Sequence, residues 1–100
     1  MSTLACTPVL RIAAGDRAGR SYEIGEAIRI GRHPYNQISL DDPAVSRYHC
    51  WITLCETGFV VEDLGSTNGT YVNGVRVVKR TLRGGERVQV GRTEFVFVEE

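Results

Sequence analysis

The stretch FVVEDLGSTNGTYVNGVRVV, Phe59 to Val78, decides the class of fold. It holds three short apolar, β-branched runs, FVVED, TYV and VRVV, parted by two segments dense in turn residues. Asn73-Gly74 tolerate the positive φ values that a two-residue type I′ turn demands, so TYV and VRVV read as a hairpin. The other interruption is less easily explained. Between Asp63 and Gly74 stand two Asn-Gly pairs and four hydroxyl side chains, more fixed chemistry than one reversal of direction needs.

The same grammar repeats on both sides. VLRI (Val9 to Ile12), SYEIG (Ser21 to Gly25) and AIRIG (Ala27 to Gly31) are short runs of strand type set between glycine-containing loops. HCWITLC (His49 to Cys55) faces FVVED across a connection ending in Gly58, and RVQV (Arg87 to Val90) faces TEFVFV (Thr93 to Val98) across Gly91-Arg92. In HPYNQISLDDPAVSR, Pro34 and Pro43 remove backbone donors and exclude a long central strand, leaving Ile38 to Leu40 as a brief one. No amphipathic helical stripe of useful length appears. The reading is all-β: two packed antiparallel sheets, each covering the apolar face of the other.

Composition narrows the function. One hundred residues, 42% of them apolar, suit a single domain, since a chain of this size buries roughly 60 to 70% of its unfolded surface. Twelve basic residues balance twelve acidic ones, so the overall positive field of a general nucleic-acid binder is missing. No apolar run approaches the roughly 20 residues of a membrane span, and MSTLACTPVL lacks the basic start and apolar core of a secretory signal. A cytoplasmic location is the expectation. Cys6, Cys50 and Cys55 do not form a metal-binding CxxC pair, and Cys50 and Cys55 read as small core or half-buried side chains.

Catalysis has little to work with. His33 and His49 are the only histidines, and there is no HExxH. Asp41-Asp42 before Pro43 reads as a solvated turn rather than a catalytic carboxylate pair. Ser46, His49 and Asp63 are the residue types of a triad, but the nucleophile-elbow sequence is absent. Neither nucleotide-binding glycine motif occurs, and Asn68-Gly69-Thr70 matches a glycosylation acceptor that has meaning only in the secretory pathway. No catalytic, metal-binding or cofactor-binding residue is assigned, and the chain reads as a non-enzyme.

Three loops offer a different chemistry. Gly31-Arg32 follows a strand, Ser46-Arg47-Tyr48-His49 follows the Pro43 loop, and Gly65 to Thr70 precedes another strand. Gathered at one end of a sandwich, they present two guanidinium forks with hydroxyl and amide donors around a small concavity. Arginine matches phosphate oxygens, and Ser, Thr and Asn complete the shell, so a phosphorylated residue fits.

At these residues the sequence resembles the forkhead-associated (FHA) domain family. The resemblance rests on IGR (Ile30 to Arg32), VSRYH (Val45 to His49), DLGSTNGTYVNG (Asp63 to Gly74) and the weaker TLRGGERVQVG (Thr81 to Gly91), in that order. It implies a sandwich of about eleven short strands over residues 10–98, with 1–9 as a lead-in and 99–100 as an end. It also implies a non-catalytic module, without cofactor, that binds phosphothreonine in partner proteins modified by a Ser/Thr kinase.

The resemblance assigns roles by position. Arg32 would contact phosphate and Ser46 would be the principal hydroxyl contact. Arg47 would reach phosphate or peptide backbone, the rival reading being an ion pair with Asp41 or Asp42. Thr67 and Asn68 would contact the peptide, Asn68 gripping its main chain. His49, Gly31, Gly65, Gly69, Asn73 and Gly74 would support the loops. Arg76, Lys79, Arg80 and Arg83 are candidates for a second basic surface, with strand-edge solubility as the plain alternative. The chief rival function is a phosphate-independent β-sandwich interaction or structural module.

Overall fold

The computed structural model describes residues 8–99; Cys6 and most of the expected lead-in, as well as residue 100, lie outside the described residues. Eleven strands follow in order: β1 Val9–Ala14, β2 Ser21–Glu23, β3 Ala27–Gly31, β4 Ile38–Ser39, β5 Cys50–Cys55, β6 Gly58–Asp63, β7 Thr70–Val72, β8 Val75–Val77, β9 Lys79–Thr81, β10 Arg87–Val90 and β11 Thr93–Val98. They form two sheets, β2-β1-β11-β10-β7-β8 and β4-β3-β5-β6-β9. Alternation drives the packing. In TEFVFV the side chains of Thr93, Phe95 and Phe97 are buried while Glu94, Val96 and Val98 are half-buried, as a period of two requires.

The core lies between the layers. Leu10, Ile12, Val72, Val88, Val90, Phe95 and Phe97 come from the first sheet and meet Ile28, Ile30, Ile38, Cys50, Ile52 and Val61 from the second. Phe59 reaches across to Phe97 at 5.7 Å between ring centroids. Burial pushes the Cys50 thiol up to about 12. Cys55, in contrast, is exposed, because it ends β5 beside the turn into Gly58.

Two features depart from the sequence reading. The β3–β4 pair is parallel, the exception to an otherwise antiparallel pattern. KRT at Lys79–Thr81 forms a strand, β9, which pairs with β6 through Val60↔Thr81 and Glu62↔Lys79. It lacks apolar alternation because all three of its residues are exposed. Only Val78 separates β8 at the edge of one sheet from β9 at the edge of the other, so the chain changes layer within a single residue.

The first and last strands are neighbours. β1 pairs with β11 from Val9↔Val98 to Ala14↔Glu94. Gly15, just beyond β1, packs on the β10–β11 turn, where an added Cβ would lie 3.0 Å from the Arg92 carbonyl oxygen.

Candidate functional site

The β3–β4, β4–β5 and β6–β7 loops converge at one end of the sandwich. The first contact is made by Gly31, at which an added Cβ would lie 2.2 Å from the Arg47 carbonyl oxygen. That approach needs a residue without a side chain. It lets Arg32 N–H donate to the Ser46 carbonyl (3.0 Å) and His33 N–H to the Arg47 carbonyl (3.1 Å). Asn36, buried, locks the same junction by donating its amide to the carbonyls of His33 (2.7 Å) and Arg47 (2.8 Å).

The β4–β5 loop is shaped by Asp42. Its backbone carbonyl accepts from Val45 N–H (2.9 Å) and its Oδ1 from Ala44 N–H (2.9 Å), closing a turn with Pro43 at the position proline prefers. Its Oδ2 accepts from Arg92 N–H at 2.9 Å. The Arg92 and Ala44 backbone donors hold the Asp42 carboxyl below the ordinary carboxylate value.

The β6–β7 loop is tied by Asp63. Oδ2 accepts from the backbone of Gly65 (3.1 Å) and Ser66 (3.0 Å), and Oδ1 accepts from the hydroxyls of Ser66 (2.5 Å) and Thr70 (2.8 Å). Burial raises the Asp63 pKa, but the Ser66 and Thr70 hydroxyls and the Ser66 N–H outweigh it, and the net shift is downward. Ser66 Oγ in turn accepts from Gly69 N–H (2.9 Å). Gly65 and Gly69 take φ of +77° and +93°, which a side chain would strain.

His49, fully buried, joins these two loops. Its Nδ1 accepts from Ser46 N–H (3.1 Å) and its Nε2 lies 2.8 Å from the Gly69 carbonyl oxygen. A donor on one nitrogen and an acceptor on the other select the neutral tautomer with hydrogen on Nε2. The ring therefore meets the backbone of Ser46 and not its hydroxyl, so the triad geometry is not formed. Ser46 Oγ instead accepts from Thr67 N–H at 3.1 Å, which leaves its own proton free to donate.

Arg32, Ser46, Thr67 and Asn68 line one cavity of about 150 Å³, together with Pro43, Ala44 and Val45. Arg32 Nε donates to the Val45 carbonyl (3.0 Å) and Asn68 Nδ2 to the Ala44 carbonyl (2.8 Å). Arg47 is exposed and does not line this cavity, nor does it pair with Asp41 or Asp42. Among the described residues the ion pairs are Arg80–Glu86 (2.6 Å) and Arg87–Glu94 (2.8 Å). Glu86 thus occupies Arg80 and also accepts from Arg83 N–H (2.9 Å). Arg76 turns toward the recognition loop, its guanidinium lying where a Cβ on Gly69 would stand 2.6 Å from Nε. The supposed second basic surface is therefore divided. Asn73 and Gly74 have φ of 50° and 83° and make the hairpin turn, and Asn73 Oδ1 also accepts from Arg87 N–H (3.0 Å).

Asn36 and Ser66 carry no role of their own in the sequence reading, and Asp63 was read without its role as the loop's anchor. The solvated-turn reading of Asp41-Asp42 fits exposed Asp41 but not Asp42, which is buried and bonded to the Ala44, Val45 and Arg92 N–H groups. The available signals were local: Asp before Pro at a turn, and Asp-x-x-Ser at the head of a glycine loop.

A family model described as FHA domain matches residues 28–91. The chain is 42% identical over 91 residues to the glycogen accumulation regulator GarA of Mycobacterium tuberculosis, covering 90% of this chain and 56% of that protein. The chain thus spans about half the length of this curated relative. It superposes on Mycobacterium tuberculosis EmbR, solved in complex with a low-affinity phosphopeptide, with TM-score 0.85 at 35% identity over 96% of this chain and 25% of that one. It also superposes, with TM-score 0.83 at 33% identity over 92% of this chain and 95% of that one, on a structure from work on phosphothreonine-dependent FHA domain interactions.

Proposed function

Since the chain belongs to the FHA domain family, whose members are non-catalytic modules that bind phosphothreonine-containing partners, we propose that its loop-end cavity reads phosphothreonine in a protein modified by a Ser/Thr kinase. The observation that carries this reading is the convergence of Arg32, Ser46, Thr67 and Asn68 from three loops on one cavity.

The chemistry follows from what each group has left to give. Arg32 is anchored through Nε, and among the described residues no carboxylate pairs with it, so its two terminal amino groups serve the phosphate. Ser46 donates its hydroxyl proton while its oxygen holds Thr67 N–H. Asn68, steadied on the Ala44 carbonyl, meets the peptide main chain beside the phosphothreonine. Arg47 reaches the ligand only by swinging in from outside the cavity. A phosphothreonine carries about −1.5 to −2 charge at neutral pH. Each charge-assisted bond contributes about 1.5 to 3 kcal/mol, so the unphosphorylated peptide binds far more weakly. Pro43 and Ala44 supply an apolar wall for the threonine methyl. Area alone gives that methyl about 0.8 kcal/mol, and a larger preference over phosphoserine requires shape exclusion.

Calorimetric titration of phosphothreonine peptide libraries against unphosphorylated controls tests the proposal; equal binding to both sets refutes it. Arg32→Ala weakens phosphopeptide binding at least about tenfold with the fold intact, because an exposed donor is lost and no core volume. The rival, a phosphate-independent interaction module, draws on edge strand β8, where Val75 is exposed, and on the adjoining Val78, also exposed. A partner bound there is not displaced by a phosphothreonine peptide.

A further inference from the structure

We propose that Asp42 is a positioning residue for the candidate pocket and that the β10–β11 turn, which it grips, sets the pocket's shape. The inference rests on the phosphothreonine reading of the pocket and adds to it a group that never meets the ligand.

The route is short and fully bonded. Asp42 carries three acceptor bonds: Val45 N–H on its carbonyl, Ala44 N–H on Oδ1, and Arg92 N–H on Oδ2. The first two make the turn 42–45, and the third fastens it to residues 50 positions away in the other sheet. Past the Pro43 carbonyl, the last two carbonyls of the turn are those that hold the ligand groups. Ala44 accepts from Asn68 Nδ2 and Val45 accepts from Arg32 Nε. One buried carboxylate thus decides where two consecutive carbonyls point, and those carbonyls decide where an amide and a guanidinium stand.

Gly91 supplies an independent observation. With φ of +59°, it lies so close to this turn that an added Cβ would stand 2.5 Å from Asp42 Oδ2 and 2.6 Å from Val45 Cγ2. The β10–β11 turn therefore presses on the back of the loop whose front forms the pocket. A Cβ at Gly91 pushes the turn toward Arg32 and Asn68, whereas loss of a carboxylate oxygen at Asp42 lets it drift away. Either displacement degrades the same geometry.

The test compares phosphothreonine-peptide affinity in wild type, Asp42→Asn, Gly91→Ala and the double variant, with Ile24→Val as a core-destabilising control at the Pro8 end of the sandwich, away from the Arg92 turn. Unfolding midpoints are measured for all. Asp42→Asn and Gly91→Ala each weaken binding by about tenfold, and the double variant falls short of the product because both act on one turn. Ile24→Val lowers the midpoint and leaves affinity unchanged. Without ligand, the Asn68 side-chain amide and the Thr67 backbone amide shift in the nitrogen-15 spectrum of Asp42→Asn. Wild-type affinity in Asp42→Asn, or losses that track the unfolding midpoint across all variants including the control, overturns the inference. If wild type itself ignores phosphothreonine, the functional reading fails, while unmoved Asn68 and Thr67 resonances separately refute the positioning role.

Discussion

Replacing His49 by alanine removes the group that joins the β4–β5 loop to the β6–β7 loop. The ring is fully buried, accepts from Ser46 N–H and bonds to the Gly69 carbonyl. Alanine strands both partners, each at about 1 to 3 kcal/mol, and leaves a void, for a total of about 3 to 6 kcal/mol. That is a large share of the roughly 5 to 15 kcal/mol that holds a small domain together. At about 4 to 8 °C per kcal/mol, the melting midpoint falls by more than about 12 °C. Two milder variants apportion the loss. The Asn oxygen overlays Nδ1 and keeps the Ser46 bond, whereas the Gln amide nitrogen overlays Nε2 and keeps the Gly69 bond. His49→Asn and His49→Gln should each lose about half as much as His49→Ala. Urea unfolding followed through Trp51, the single tryptophan, measures all three. A His49→Ala protein within about 0.5 kcal/mol of wild type would falsify the bracing role.

Gly31→Ala drives a Cβ to 2.2 Å from the Arg47 carbonyl, a clash with backbone that costs about 2 kcal/mol or more and weakens phosphopeptide binding; unchanged stability and affinity would contradict the close approach. Gly74→Ala strains a φ of +83° but meets no neighbour within 4 Å, so about 1 kcal/mol of stability is lost while affinity stays constant, as denaturation and titration would show. Asp42 and Asp63 have folded-state pKa values below 3.8, so they take up protons on unfolding. Their stabilisation is complete above that value and is lost as pH falls through the lower folded values. Urea midpoints from about pH 6 to about pH 2 should fall steeply in wild type and less steeply in Asp63→Asn, and parallel slopes would exclude Asp63 as a source of acid sensitivity.

Strands were legible where alternation or a turn dipeptide marked them. β3, β10 and β11 coincide with AIRIG, RVQV and TEFVFV, and Asn73-Gly74 takes the left-handed pair of φ values that its type I′ chemistry requires. β9 was not legible, because an exposed KRT edge has no buried face to leave a pattern. The parallel β3–β4 pairing depends on a crossover that no local dipeptide records. Arg32, Ser46, Thr67 and Asn68 stood out by their chemistry and share one cavity. Arg47 carries the same chemistry but contributes to the junction through its carbonyl, which accepts from His33 and Asn36. Side chains whose work is to hold backbone, such as Asn36 and Asp42, look in sequence like ordinary loop residues. Their partners lie 11 and 50 positions away.

The pairing of β1 with β11 has a mechanical consequence. Val9 faces Val98, while the other end of β1 reaches Gly15 beside the Arg92 turn. The two handles by which tension would load this domain are therefore side by side, about 20 Å along a six-residue strand from the loop end. Force between them opens the β1–β11 ladder like a zipper, breaking its bonds in succession rather than shearing them together. The tear starts at the end remote from Arg32, Ser46 and Asn68 and arrives at the Arg92 turn last. A phosphopeptide held in the cavity at the loop end would be released only after the β1–β11 ladder had opened.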